Sequence, residues 1–319
     1  MDSTVMLPPE PDRRWTIARQ IGIDTAVVRF WGVDGWWEFE TLLETRNRFA
    51  DHGFSLDVVE DRPPMEKTVL GQDGRDEEIE TVKRLLRNMG RLGIDTYCWV
   101  WTENPLGVLR TSDSVPLRGD SRTTAYEHAH QQLADDHPAA GITEEELWEN
   151  LQYFLDEVVP VAEEAGVTLG VHPSDPPLPE INGIPLLFRN FENFKRAMSL
   201  VDSEAHGLKF CLGCWSEMGE DVVEVIRHFG GEDIVYVHFR DVVGTVPNFH
   251  ETFIDDPASN YDEYEVMKTL HEAGFSGVMT PDHVPLMEGE TEWEFGSTTG
   301  RAYTVGYLKG LLRAVTTAG

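Results

Sequence analysis

Short apolar runs alternate with longer segments of helical spacing along most of the chain. The runs are rich in β-branched and aromatic residues, which is typical of strands; they cover 3–7, 25–31, 55–61, 95–101, 168–174, 207–213, 234–240 and 276–282. Between them, apolar positions recur as in amphipathic helices, over 13–21, 36–52, 76–92, 144–165, 190–203, 219–229, 262–273 and a terminal 300–315. This alternation predicts an α/β protein, a single (β/α)8 TIM barrel in one domain spanning 1–319.

One connection is too long for a simple barrel loop. Residues 102–143 follow the fourth predicted strand and carry several Pro and Gly residues with little periodicity. Loops of this length inside a compact domain are usually functional or disordered. We interpret the segment as a lid-like insertion over the barrel mouth or as a subunit contact, with a mobile acidic insertion as the alternative. A second excursion, 244–261, follows the seventh strand.

Four consecutive predicted strands end in side chains that can bind a metal. These are His172, Cys211, His238 and Asp282. Taken singly, the histidines fit core positions, the cysteine fits a small buried hydrophobe, and the aspartate fits a turn cap. Because parallel strand ends converge on one mouth of a barrel, the series instead predicts a site for a divalent transition metal.

Further candidates lie beside these ligands. His283 follows Asp282, and its imidazole suits general acid–base catalysis, although a surface histidine is the alternative. Arg240 and Arg301 are predicted to bind a substrate carboxylate, as arginine does well, or else to pair with surface acids. Glu60 ends the third strand and is predicted to line the mouth and to bind substrate.

The net charge of the chain limits the classes of partner that it can bind. The chain carries 57 acidic and 26 basic residues, a net charge of −31. We therefore do not expect the chain to bind nucleic acid or anionic membrane surfaces, because a protein that binds either needs patches of Lys and Arg. Only six residues are Lys. An acidic surface with little lysine suits high salt, where repulsion is screened; an ordinary acidic cytosolic enzyme is the alternative.

Cysteine use and the N-terminus indicate a cytoplasmic protein. Three cysteines, Cys98, Cys211 and Cys214, do not make a disulfide framework in a chain of 319 residues. The first residues lack the basic and apolar regions of a signal peptide, and no apolar run approaches the length of a membrane span.

Several motifs together resemble the mannonate dehydratase family of the xylose isomerase-like barrel group. The resemblance covers most of the chain and is strongest over 160–313. Its motifs are His172-Pro-Ser-Asp-Pro-Pro177, Phe210-Cys-Leu-Gly213, His238-Phe-Arg240, Phe249-His-Glu251, Pro281-Asp-His283 and, earlier, Asp57-Val-Val-Glu60 and Leu109-Arg-Thr111.

The resemblance implies a reaction and roles. Family members remove water from D-mannonate to give 2-keto-3-deoxygluconate. The four predicted ligands match the family's Mn²⁺ or Fe²⁺ ligands, and His283 matches its proposed acid–base histidine. By motif, His250 is the nearest candidate for a second catalytic group, and Glu251 for that role or for substrate binding. The implied partner is a small sugar acid, and the implied assembly is a homo-oligomer.

The chain departs from the family pattern at four places. Ser174, Thr280 and Val284 replace family residues, and the stretch 293–301 lacks the family's catalytic tyrosine. This pattern fits a relative that acts on another sugar acid or uses a different acid. Two alternatives stay open: a sugar isomerase or epimerase of the same barrel group, and a binding protein that keeps a metal for structure.

Overall fold

The computed structural model describes residues 1–102, 108–131, 139–290 and 297–317. Its strands, in chain order, are β1 (Asp2–Ser3), β2 (Val5–Leu7), β3 (Thr25–Val28), β4 (Ser55–Glu60), β5 (Thr96–Val100), β6 (Ser112–Pro116), β7 (Arg122–Glu127), β8 (Thr168–His172), β9 (Glu180–Ile181), β10 (Ile184–Pro185), β11 (His206–Cys211), β12 (Ile234–Phe239), β13 (Val242–Thr245), β14 (Asn248–Glu251) and β15 (Val278–Pro281).

The helices surround the barrel. They are α1 (Arg13–Gln20), α2 (Phe39–Asp51), α3 (Glu66–Val69), α4 (Arg75–Leu92), α5 (Glu144–Ala165), α6 (Phe191–Met198), α7 (Leu212–Glu217), α8 (Val222–Asp233), α9 (Glu263–Glu272) and α10 (Thr298–Thr317). The eight helices predicted from apolar spacing are confirmed, with ends shifted by up to five residues. The short helices α3 and α7 were not predicted.

Parallel strands form a closed barrel. The sheet order is β1-β15-β12-β11-β8-β5-β4-β3-β2. Strands β1 and β2 flank Thr4 and pair with β15 and β3 respectively, and the Thr4 N–H donates to the Met279 carbonyl at 2.8 Å. They are therefore two halves of one barrel position, and the eight predicted strands are confirmed.

Apolar side chains fill the lower barrel. Val27, Val58, Cys98 and Tyr236 form a buried cluster inside the sheet, while a larger cluster packs the outer face of the sheet against the helices. This arrangement leaves the carboxyl ends of the strands to carry polar groups, as in other barrels of this type.

The two long excursions pair with each other. Strands β6 and β7 lie in the first excursion, β13 begins two residues before the second excursion, and β14 lies within it. Together they form an antiparallel sheet in the order β13-β14-β7-β6. We call it the upper sheet. The prediction of an insertion after the fourth barrel strand holds, and the structure adds these strands to it. Residues 103–107 and 132–138 of the insertion lie outside the described residues.

Within the described ranges, none of the helices combines the length and the apolar character needed to cross a membrane.

Candidate metal centre

The predicted metal ligands meet at the carboxyl end of the barrel. One ligand atom from each of His172, Cys211 and His238 lies within 4.8 Å of the others. Asp282, which directly follows β15, places Oδ2 3.2 Å from His238 Nδ1 and 3.9 Å from Cys211 Sγ. The structure thus brings all four predicted residues together from four neighbouring strand ends.

The chemistry of this cluster fits a divalent metal. His172 Nε2 is buried, and it has no hydrogen-bond partner among the described residues. Burial would raise the pKa of Cys211, but a hydrogen bond with Cys214 and the charge of Arg240 hold it well below its usual value. A buried imidazole lone pair, a stabilised thiolate and a carboxylate are the donors that bind divalent transition metals.

His238 is oriented from below by a carboxylate. Its Nε2 lies 2.9 Å from Glu60 Oε2, and Lys209 Nζ donates to Glu60 Oε1 at 2.7 Å. Burial disfavours the charged imidazole, but Asp282 and Glu60 outweigh it and raise the pKa of His238 to about 10. Glu60 was predicted to bind substrate; the structure gives it protein partners instead.

His283 lies between a carboxylate and a guanidinium. Its Nδ1 is in close contact with Glu251 Oε1 and lies 2.8 Å from Arg240 Nη1. Its Nε2 points toward the ligand cluster, 3.7 Å from Asp282 Oδ1. Burial raises the pKa of Glu251, but His283 and Arg110 lower it to about 2. The predicted acid–base histidine therefore sits beside the ligands with an ionised carboxylate behind it.

Arg240 is wholly buried at the centre of the charged network. It donates to Asp175 Oδ2 and Glu217 Oε1, both at 2.8 Å, and to Cys214 Sγ at 3.2 Å. Burial raises the pKa of Glu217 well above its usual value, and the nearby Asp175 adds to the effect. Arg240 was predicted to bind a substrate carboxylate; here protein acids satisfy it.

The remaining two predicted site residues lie in the upper sheet and in α10. His250 pairs with Ala125 in the upper sheet, and alternation along β14 places its side chain on the face opposite Glu251. Arg301 lies half-buried in the first turn of α10. His250 therefore does not share the face of β14 from which Glu251 contacts His283.

Sequence reasoning missed part of the network. Arg110, just before β6, donates to Asp175 through two nitrogens and to Glu251 Oε1 at 2.7 Å. Arg110 and Asp175 both lie inside motifs quoted above, and that was the available signal. Glu217 gave none, because it lies in the unpredicted helix α7.

The fold and the site together define a (β/α)8 barrel with a buried set of candidate ligands for a divalent metal at its mouth. The family model described as D-mannonate dehydratase (UxuA) matches residues 17–140 and 136–318. The chain therefore belongs to the D-mannonate dehydratase family, a family of hydro-lyases.

Relatives match along most of the chain. Mannonate dehydratase 2 of Halalkalibacterium halodurans is 32% identical over 308 residues, 89% of each chain. The mannonate dehydratase of Streptococcus agalactiae serotype Ia is 31% identical over 304 residues, 88% of this chain and 87% of that one.

Solved structures agree with the fold. The crystal structure of mannonate dehydratase from Streptococcus suis serotype 2 matches with a TM-score of 0.90 and 28% identity, covering 100% of this chain and 95% of that one. A structure of L-ribulose 3-epimerase matches with a TM-score of 0.62 at 13% identity, over 100% and 97% of the two chains. At that identity the second match concerns the fold alone.

Proposed function

We propose that this chain removes water from D-mannonate to give 2-keto-3-deoxygluconate, using Mn²⁺ or Fe²⁺ held by His172, Cys211, His238 and Asp282. The observation that carries the proposal is the convergence of these four side chains at the mouth of a barrel that belongs to the D-mannonate dehydratase family. Family membership supports the reaction, and the donor set supports the metal.

The elimination needs one proton removed and one supplied. The C2 proton of an aldonate is weakly acidic, and the C3 hydroxyl leaves as water once it is protonated. The resulting enol becomes the keto acid when its C2 hydroxyl loses a proton and C3 gains one. A bound divalent cation would act as a Lewis acid toward the carboxylate and so stabilise the charge that develops at C2. The protein must supply an acid–base group close to that charge.

We assign this proton transfer to His283. A guanidinium can only donate a hydrogen bond and a carboxylate can only accept one. With a proton on Nδ1, the ring donates to Glu251; without it, Nδ1 accepts from Arg240. The ring therefore keeps its orientation in both tautomers while Nε2 faces the ligand cluster. Glu251 and Arg240 are positioning residues in this proposal.

Charges of both signs surround His283. Arg110 and Arg240 supply two positive charges, and Asp175 and Glu251 supply two negative ones. Asp282 adds a further carboxylate 3.3 Å from Arg240. A buried network of this kind is stable only when its charges are paired. Arg301 remains our candidate for the substrate carboxylate.

The upper sheet would act as a lid-like part of the same single domain. It contributes Glu251 on β14, and the adjoining Arg110 reaches Asp175 beyond β8. A homo-oligomer and a cytoplasmic location stay predictions. Size-exclusion chromatography with light scattering would measure the first.

The experiment joins metal analysis with turnover. Metal bound per chain and release of the keto acid from D-mannonate are measured for the parent and for variants. We expect His172→Ala and Asp282→Ala to lose both. His283→Gln should keep the metal and lose about 10²–10⁴-fold in rate, the usual contribution of an acid–base group. The control is His271→Gln. His271 lies on α9, away from the site, and its substitution should change neither the bound metal nor the turnover.

Two outcomes contradict the proposal. Undiminished turnover after metal depletion would remove the role of the metal. Altered sugar configuration without release of water, across a panel of aldonates and ketoses, would favour the isomerase or epimerase alternative.

A further inference from the structure

A charged pair lies inside the barrel just below the metal ligands. Lys209 on β11 and Glu60 at the end of β4 are 4% and 6% exposed, and Lys209 Nζ lies 2.7 Å from Glu60 Oε1. Branched apolar residues normally fill this part of such barrels. A buried ion pair loses much of its attraction to desolvation, so fold stability alone does not account for the pair.

Lys209 and Glu60 both lie on the side of the barrel wall that faces His238, one of the predicted metal ligands. Along β11, Lys209 and Cys211 point to the same side, because side chains two positions apart share a face. Cys211 is in register with His238 on β12. Glu60 reaches across the barrel to His238, with 2.9 Å between Oε2 and Nε2. The Lys209–Glu60 pair therefore contacts Nε2 of His238, and the other ring nitrogen, Nδ1, faces the remaining predicted ligands.

That contact determines which nitrogen of His238 faces the cluster. When the ring is neutral, Nε2–H donates to the Glu60 carboxylate, and the lone pair is then on Nδ1. Nδ1 lies 3.2 Å from Asp282 Oδ2, on the side of the other ligands. A carboxylate that fixes the tautomer and the ring angle of a ligating histidine typically changes metal affinity by about 10–100-fold.

Lys209 holds the carboxylate in place. Its ammonium fixes Glu60 Oε1, which leaves Oε2 directed at His238. The backbone of β11 at Lys209 lies close to Gly170 of β8, where a Cβ would lie 2.8 Å from a Val235 methyl and 3.2 Å from the Lys209 backbone nitrogen.

We propose that Glu60 and Lys209 are positioning residues that hold His238 with Nδ1 toward the metal and so set metal affinity. The inference rests on the proposed metal site, and it is distinct from substrate binding by Glu60. It predicts an effect on binding of the metal alone, before any substrate is present.

The test is a calorimetric titration with Mn²⁺ at fixed pH, together with the absorption spectrum of the Co²⁺-loaded protein. Glu60→Gln and Lys209→Met should weaken Mn²⁺ binding by about 10–100-fold and shift the Co²⁺ bands. Glu60→Asp keeps the charge but shortens the reach to His238, so it should weaken binding too, and it guards against misfolding of the Gln variant.

A matched pair serves as the control. Lys83 on α4 donates to Glu157 on α5, outside the barrel and away from the ligands. Lys83→Met and Glu157→Gln also remove one member of a Lys–Glu pair, and they should leave Mn²⁺ affinity unchanged. A merely structural role for Glu60 would lower the melting temperature of the metal-free protein and spare the affinity.

The outcomes separate the two proposals. If the parent binds no Mn²⁺, the metal site and this inference both fail. If the parent binds Mn²⁺ and the folded Glu60 and Lys209 variants bind it within about threefold of the parent, only the inference fails.

Discussion

Asp241 is a carboxyl group whose burial should be visible in the pH dependence of stability. It follows Arg240 at the end of β12 and is 2% exposed. Burial raises the pKa of Asp241 to about 8, with the nearby Glu263 adding to it and a hydrogen bond with Ser259 opposing it. The folded protein therefore retains a proton that the unfolded chain, with an ordinary pKa near 4, has already lost.

The sign of the effect follows from proton binding. Between about pH 4 and 8 the folded state binds more protons at this residue, so stability falls as the pH rises. We expect Asp241→Asn to abolish this fall, which amounts to at most about 1.4 kcal/mol per pH unit. Urea unfolding of both proteins at pH 5.5 and pH 8 measures it.

The exposed Asp51 at the end of α2 provides the control. Asp51→Asn should leave the difference between the two pH values unchanged. An Asp241→Asn variant that gains no stability over the parent between pH 5.5 and pH 8 would contradict the prediction.

At the scale of single residues, the sequence predicted which strand-end side chains converge better than it predicted the partners of these side chains. His172, Cys211, His238 and Asp282 could be predicted because each ends an apolar run, and barrel geometry brings such ends together. The partners of His283 could not be assigned. Arg240 and Glu251 look like substrate-binding residues in the sequence, since nothing local shows that acids and bases far apart in the chain will pair.

At the scale of elements, helix α7 controls the space around Arg240. It begins directly after Cys211, and its Gly213 faces the arginine. A Cβ at Gly213 would clash with Arg240 Nε and come within 2.9 Å of its Cζ. Arg240 cannot swing away easily, because it is buried and bound to Asp175 and Glu217.

Gly213→Ala should therefore damage the site through this clash. We expect a loss of about 1–3 kcal/mol in stability, as for other overpacked positions, and a fall in turnover because Arg240 supports His283. Thermal unfolding and the D-mannonate assay measure the two effects.

Gly310→Ala on α10 is the matched control, because a Cβ there meets no atom within 4 Å. Gly310→Ala should leave the free energy of unfolding unchanged or raise it by up to about 1 kcal/mol, because Ala has a higher helix propensity than Gly. A Gly213→Ala protein with parental stability and rate would show that the space is not needed.

The barrel strands could be predicted from the sequence and the upper sheet could not. Barrel strands are nearly continuous apolar runs because both faces are buried. In β6, the sequence Ser-Asp-Ser-Val-Pro is largely polar and half-buried or exposed, and the strand is held by pairing with β7. The sheet continues from β7 to β14, which lies more than a hundred residues further along the chain, so no local pattern predicts the sheet.

At the scale of the whole molecule, the charge of −31 predicts a response to salt. Raising KCl from about 0.1 M to about 1 M shortens the screening length from about 10 Å to about 3 Å. Repulsion among surface acids should fall, since like charge destabilises the compact state. We expect the melting temperature to rise with KCl, as measured by circular dichroism or scanning calorimetry.

A melting temperature that is flat or falls with KCl would contradict adaptation to high salt and favour the ordinary acidic enzyme. The test uses metal-free protein throughout, so that a salt effect on metal affinity does not enter the result.

The pairing of β7 with β14 has a consequence for the nascent chain. Arg110 and its acceptor Glu251 are 141 residues apart in the chain. The ribosome therefore adds Arg110 well before it adds Glu251. The charged network therefore stays incomplete, with the upper sheet unformed, until almost four-fifths of the polypeptide has been made. A truncated product that ends before β14 would lack Glu251 and also β15, after which Asp282 and His283 follow, so catalytic competence should arise late during synthesis.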